Sequence, residues 1–279
     1  MELWRGEVAQ AWPGAPRRAA LVVPANARLE GALAPYVHRG RAPDEAGRAR
    51  GWASSARWGG MDAGPNMLYP AQCIDGLVRA ADPAAGTAAA AAAALQSLPL
   101  AAGSAVRAAA GDTLSTLLGV GRLELIHCVT PYRSAQGSDS ALRACYASAL
   151  RCAQELAEEL GREDAQPRAR QARRPEQERE RQASHLERHP GPPALRAEPA
   201  YGDPACGDPL VVTFPLLGAG AKGFSSEDAA LASAACFAAS LGPASPSPLL
   251  VRCVAFCDAD AIVWSAALER SLGASNTLP

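Results

Sequence analysis

One stretch limits the possible folds more than any other: Leu210–Asp228, LVVTFPLLGAGAKGFSSED. It opens with an apolar, partly β-branched run, Leu210 to Phe214, of the kind that forms a strand buried on both faces. A glycine-punctuated loop follows, Gly218-Ala219-Gly220-Ala221-Lys222-Gly223-Phe224. Ser225 and Asp228 then make an S-x-x-D signal that opens a helix. A strand, a glycine loop and a helix N-terminus together are suited to holding a phosphate. Glycines permit positive φ and close backbone approach. The unpaired N–H groups of the first helical turn, at the positive end of its dipole, attract an anion. The loop is not a Walker A motif, because no Ser or Thr follows the lysine. Taken alone it reads equally well as a tight β–α turn without ligand.

The rest of the chain supplies the context. Its 279 residues are enough for one domain with a sizeable core. Ala19–Val23 reads as a short buried strand running into Pro24-Ala25-Asn26. Residues 27–58 show no sustained period and read as a surface insertion. Residues 73–78 suit a helix. Residues 84–95 are an alanine-rich low-complexity tract, open to a short helix or an expanded loop. Residues 104–118 are mixed. Leu123–Val129 is a strand ended by Thr130-Pro131, and Asp139 or Ser140 then caps a helix. That helix carries Leu142, Cys145, Tyr146, Ala149, Ala153, Leu156 and Leu160 at spacings of three and four, and Gly161 is its expected stop. Residues 162–209 are dominated by Arg, Glu, Gln and Pro and are expected to be a disordered insertion. Leu231, Ala234, Ala235, Ala238 and Leu241 mark the helix after the glycine loop. Leu249–Phe256 is the last strand, and Asp258 caps a final helix carrying Ile262, Val263, Ala266 and Leu268.

Strands alternating with helices predict one α/β domain over residues 1–279, with a mixed, largely parallel sheet and helices on both faces. In such folds ligands bind beyond the carboxyl ends of the strands. Four strand ends carry Asn26, Thr130-Pro131-Tyr132, the Gly218–Phe224 loop and Cys257-Asp258.

Composition excludes several classes. The net charge of −1 gives no global field for nucleic acid or acidic membranes. Glu and Asp interleave with the Arg of 162–209 and no aromatics do, so a nucleic-acid-binding tail is disfavoured. Lys222 is the sole lysine among the 27 basic residues. The Ala, Gly, Pro and Arg excess reads as base-composition bias, but it leaves that lysine in the glycine loop. None of the eight cysteines forms C-x-x-C. Cys253 and Cys257, four apart, are expected to face the same way, but no ligand set completes a zinc site. A reduced intracellular protein, in cytoplasm or nucleus, without metal follows. The N-terminus lacks a signal-peptide pattern, and no apolar run argues a membrane span.

In order along the chain, these motifs resemble those of the macro domain, a three-layer α/β/α sandwich that binds ADP-ribose. Val22-Val23-Pro24-Ala25-Asn26 resembles V-N-A-A-N, with Pro24 in place of the first Asn. Gly59-Gly60-Met61-Asp62 resembles G-G-G-V-D. Gly103-Ser104-Ala105 and Ile126-His127-Cys128-Val129-Thr130-Pro131 resemble G-x-A and I-H-x-V-x-P. Gly218–Phe224 resembles the phosphate loop S-T-G-[IV]-[FY]-G-[FY], and Gly6-Glu7-Val8 resembles G-D-[IV].

The resemblance implies a diphosphate between Gly59–Asp62 and Gly218–Phe224, the distal ribose near Asn26, and adenine toward Glu7. An aromatic stack on adenine would fall at Phe256 or Cys257; Phe256 reads otherwise as a core strand residue. Asn26 and Asp62 match the positions that orient ribose and a water in the hydrolytic members, which cleave ADP-ribosyl esters. The expected partner is ADP-ribose or an ADP-ribosylated protein, with no cofactor. Three readings stay open: an ADP-ribosyl ester hydrolase, a non-catalytic reader, and a scaffold that has lost its ligand. His127 lies within an apolar strand and reads as a structural histidine. Lys222 reads either as a point charge on the diphosphate or as a solvent-facing tip.

Overall fold

The computed structural model describes residues 1–5, 12, 15–25, 27, 29, 37–38, 67–68, 74, 78, 99–172, 208–219, 222–241, 249–255 and 257–272. The long apolar runs become the centre of a sheet. β2 (Arg18–Ala25), β6 (Arg122–Val129), β7 (Leu210–Pro215) and β8 (Leu249–Ala255) are parallel neighbours. β7 is buried along its whole length and β6 at all but its first residue. That burial on both faces is why no polar alternation was visible in their sequences.

Two shorter strands close the edges. β1 (Glu2–Arg5) runs parallel to β8, and β5 (Ala105–Ala109) runs antiparallel to β6. The six-stranded order is β1-β8-β7-β2-β6-β5, a mixed and largely parallel sheet. β3 (Val37–His38) and β4 (Met67–Leu68) form a separate antiparallel pair. Neither edge strand was expected: β1 is four residues and β5 reads AVRAA. The β1 edge is fastened by Arg252 on β8, whose guanidinium donates to Glu2 Oε2 at 2.6 Å.

The period-2 alternation of β2 divides the core. Ala20 and Val22 face a cluster built with α2 (Ser138–Ala172), α3 (Ser226–Ser240) and α4 (Asp258–Leu272). Ala19, Leu21 and Val23 face the opposite cluster, with Leu114 and Leu118 of α1 (Asp112–Leu118) and the helical residue Val78. Helices thus cover both faces, and the three-layer α/β/α expectation holds. The stretch 104–118, mixed in sequence, is β5 followed by α1. Residues 74 and 78 are helical, in line with the 73–78 expectation, while the 84–95 tract lies outside the described residues.

Several local expectations are corrected. α2 does not stop at Gly161 but continues to Ala172. An interior glycine weakens a helix by about 1 kcal/mol relative to alanine. Ion pairs on either side of it hold the later turns to the sheet. Arg107 reaches Glu159 at 2.6 Å, Arg122 reaches Glu163 at 3.2 Å, and Arg18 forks onto Asp164 at 2.6 and 2.7 Å. The region expected to be disordered therefore begins as helix, and residues 173–207 lie outside the described residues.

In α3 the buried face is Ala229, Ala230, Ala232, Ser233, Ala234 and Phe237, while Leu231, Ala235 and Ala238 are exposed. In α4 Ile262 is exposed and Trp264, Ala267 and Leu268 are buried. Trp264 is fully enclosed and its indole N–H donates to Ser233 Oγ at 2.8 Å, joining the two helices. The small residues of α3 are what let that indole in. Asp258 is the first residue of α4 and pairs with Arg5 at 2.6 Å. Cys253 is buried in β8 whereas Cys257 is exposed beyond it, so the two do not form a pair facing one way.

Candidate functional site

Because β2, β6, β7 and β8 run parallel and in register, their last residues share one edge. Ala25 pairs with Val129, and Pro215 pairs with Val254. The segments that leave these strands therefore start from the same end of the sheet, the end at which α/β folds bind ligands.

The glycine loop leaves the sheet at this edge. β7 ends at Pro215, and the Leu217 side chain is buried beneath the turn. The Leu217 N–H donates to Tyr146 Oη at 2.8 Å, and the Tyr146 hydroxyl faces the Leu217 carbonyl at 3.4 Å. Burial pushes the Tyr146 phenol well above its usual range, so it stays protonated and anchors the loop from α2. Gly218 follows at φ +87° and Gly223 at φ +80°, in the left-handed region open to glycine. The Phe224 N–H donates to the Gly218 carbonyl at 3.1 Å and closes the loop. Ser225 caps α3, its hydroxyl accepting from the Asp228 N–H at 3.0 Å, as the S-x-x-D motif predicts.

Phe224 is 3% exposed and packs in the core against Gly218 and Leu142. It shapes the loop from below rather than presenting its ring at the surface. Ala219 and Lys222 are partly exposed. The Lys222 ammonium lies 4.0 Å from the centre of the Tyr132 ring. The Arg133 N–H donates to the Lys222 carbonyl at 2.9 Å, and its guanidinium stands 5.5 Å above the Phe224 ring. Thr130, at the end of β6, is buried, and its hydroxyl has no partner among the described residues. A buried polar group of that kind at a strand end offers one hydrogen bond to whatever occupies the edge.

Of the residues singled out from the sequence, Gly218, Ala219, Lys222, Gly223 and Phe224 are together in this loop. Glu7, Asn26, Gly59, Gly60, Asp62, Gly220, Ala221 and Phe256 lie outside the described residues. Sequence reasoning placed Tyr132 at a converging strand end without giving it a role, and did not find Arg133. Tyr146 was legible only as a core position. The aromatic directly after the strand-ending Pro131 was the available signal for Tyr132. His127 is 3% exposed within β6, and burial holds its imidazole down to about 4, so it is neutral at physiological pH. Among the described residues there is no cluster of three or more metal-ligating side chains, and no helix long and apolar enough to cross a membrane.

Replacing Tyr146 by phenylalanine removes the acceptor of the buried Leu217 N–H. A loss of about 1–3 kcal/mol is expected, read from urea unfolding. A variant within about 0.5 kcal/mol of the parent would contradict the anchoring role.

No family model matches this sequence, and no curated protein matches it. Solved structures do. The macrodomain of Oceanobacillus iheyensis, as a glycine-to-valine variant with ADPR, superposes with a TM-score of 0.51 at 14% identity, covering 96% of this chain and 91% of that one. The same macrodomain with ADP gives a TM-score of 0.51 at 16% identity, covering 96% and 89%. With MES bound it gives 0.50 at 15% identity, covering 96% and 89%. The chain shares the fold of those macrodomain structures at 14–16% identity.

Proposed function

We propose that this protein binds ADP-ribose or an ADP-ribose derivative at the carboxyl edge of its sheet, with the Gly218–Phe224 loop around the diphosphate. The observation that carries this reading is the loop itself. Two left-handed glycines and one closing hydrogen bond fold it at the start of a capped, 15-residue helix. Backbone N–H groups in such a turn satisfy phosphate oxygens without a cluster of cationic side chains. The similar Oceanobacillus structures hold ADPR and ADP, which supports the choice of nucleotide. In this reading Gly59 and Gly60 flank the diphosphate opposite Gly218–Phe224, with Gly220 and Ala221 at the loop's tip. Glu7 meets the adenine amine, and Phe256 or Cys257 meets the adenine face. The expected result is a saturable heat on titrating ADP-ribose into the protein, with AMP binding more weakly for want of the second phosphate. Absence of heat and of any thermal shift at millimolar ADP-ribose would leave a macrodomain scaffold without this ligand.

A second reading adds hydrolysis of ADP-ribosyl esters. It rests on the resemblance of Asn26 and Asp62 to the positions that orient ribose and water in hydrolytic macro domains; β2 ends at Ala25, one residue before Asn26. Asn26 would orient the ribose and Asp62 a water, so that rate comes from positioning more than from a strong base. Release of ADP-ribose from an ester-linked, auto-modified protein is the assay. Asn26→Ala should lower turnover while binding is kept; unchanged turnover removes the residue from the mechanism.

A further inference from the structure

Among the described residues of the glycine loop, 218–219 and 222–224, one backbone hydrogen bond is internal. Gly218 and Gly223 both carry positive φ, that internal bond runs from the Phe224 N–H to the Gly218 carbonyl, and the Ala219 N–H donates back to the Leu216 carbonyl at 3.4 Å. Glycine-rich backbone loses more entropy on ordering than any other. A loop of this kind binds an anion well only where something else has already fixed it.

The connection between β6 and α2, residues 130–137, does that from outside. Three contacts tie it to the described part of the loop. The Tyr132 ring lies 4.0 Å from the Lys222 ammonium, inside the range of a cation–π contact. The Arg133 N–H donates to the Lys222 carbonyl at 2.9 Å. The Arg133 guanidinium covers the Phe224 ring at 5.5 Å. The connection is itself tied down. Ala135 N–H donates to the Tyr132 carbonyl at 2.9 Å, and Arg133 Nη1 reaches Asp139 Oδ1 at 3.0 Å on α2. Lys222 is thus held at both ends, its carbonyl by Arg133 and its ammonium by Tyr132.

We infer that Tyr132 is a positioning residue for the diphosphate loop, acting through Lys222 to hold the loop's second half, Lys222–Phe224, in place. The contact with Lys222 uses the ring face, so phenylalanine keeps that contact and leucine does not. The ligand half of this inference rests on the proposed nucleotide binding; the brace itself does not.

The test uses the full chain with Tyr132→Leu, Tyr132→Phe, Lys222→Met and the Tyr132→Leu/Lys222→Met double variant. Tyr132 is only partly buried, so its truncation leaves the core intact. Without ligand, amide hydrogen exchange is followed at Phe224 and Arg133, whose N–H groups close and brace the loop. Tyr132→Leu and Lys222→Met should each speed it roughly threefold to tenfold, and the double variant should go no further. Tyr132→Phe, which keeps the ring, should stay nearer the parent than Tyr132→Leu. With ADP-ribose, Tyr132→Leu should raise the Kd by a similar factor and Tyr132→Phe should restore it. Parent-like exchange in Tyr132→Leu, or phenylalanine no better than leucine, overturns the brace. Additive effects in the double variant overturn the route through Lys222. A parent protein that binds no ADP-ribose defeats the nucleotide reading, and the exchange measurements still decide the brace.

Discussion

Replacing Gly218 with valine is expected to destabilise the protein by about 2–6 kcal/mol and to abolish nucleotide binding. Two independent penalties meet at this position. Its φ of +87° is one that a β-branched residue adopts only under strain, costing about 1–3 kcal/mol. A Cβ placed there would lie 3.0 Å from Phe224 Cδ2 and 3.1 Å from Leu142 Cδ1. Both neighbours are core side chains, 3% and 1% exposed, so neither can swing into solvent. Overpacking of this sort adds about 1–3 kcal/mol. Relief would come most directly by lifting Phe224, which would also break the Phe224 N–H bond to the Gly218 carbonyl and open the loop. Alanine meets the same φ with less bulk and should fall between glycine and valine. The urea midpoint measures the first effect, and calorimetry on folded variant measures the second. A valine variant as stable as the parent would show that the loop tolerates another backbone path.

Acidification from pH 7 to about 4 should remove about 3 kcal/mol of stability through His127 alone. The imidazole is enclosed in β6, and burial lowers it from 6.5 to about 4 in the folded chain. Above pH 6.5 it is neutral folded or unfolded and contributes no slope. Between 6.5 and 4 the unfolded chain takes up the proton and the folded chain does not, so stability falls as pH falls. Below about 4 both forms are protonated and the loss is complete. His127→Leu should flatten this part of the profile, measured as the urea midpoint at pH 7 and 4.5. Glu159, held down by Arg107, loses its contribution lower on the scale and does not mimic the effect at its upper end. An unchanged slope in His127→Leu would mean that the protonated imidazole finds a partner in the fold.

The strands that build the site were legible because burial on both faces leaves a mostly apolar run, broken only by Glu124 and His127 in Leu123–Val129 and by Thr213 in Leu210–Phe214. The inner face of α2 was legible because Leu142, Tyr146, Ala149, Leu156 and Leu160 contrast with the Arg and Glu between them. α3 lacks that contrast. Its sequence, SEDAALASAACFAAS, places alanine on every side. The buried stripe is then set by where Trp264 and Phe214 press against it, and Leu231 ends exposed. Gly161 misled for another reason: a local stop signal was overridden by ion pairs to residues 41 and 146 positions away in sequence. In the site, the glycine loop and its Ser225 cap were readable because both are local chemistry. The Tyr132 and Arg133 contacts were not, since they exist only once β6 and β7 end at one edge.

The central claim is that Gly218–Phe224 receives the diphosphate of ADP-ribose. Amide hydrogen exchange across the chain, with and without ADP-ribose, tests it most directly. The account predicts slowed exchange at Ala219–Phe224 and in the first turn of α3, with no change along β5 or at the far end of α2. Unaltered exchange in that loop at saturating ADP-ribose, or protection confined to another part of the fold, would contradict it.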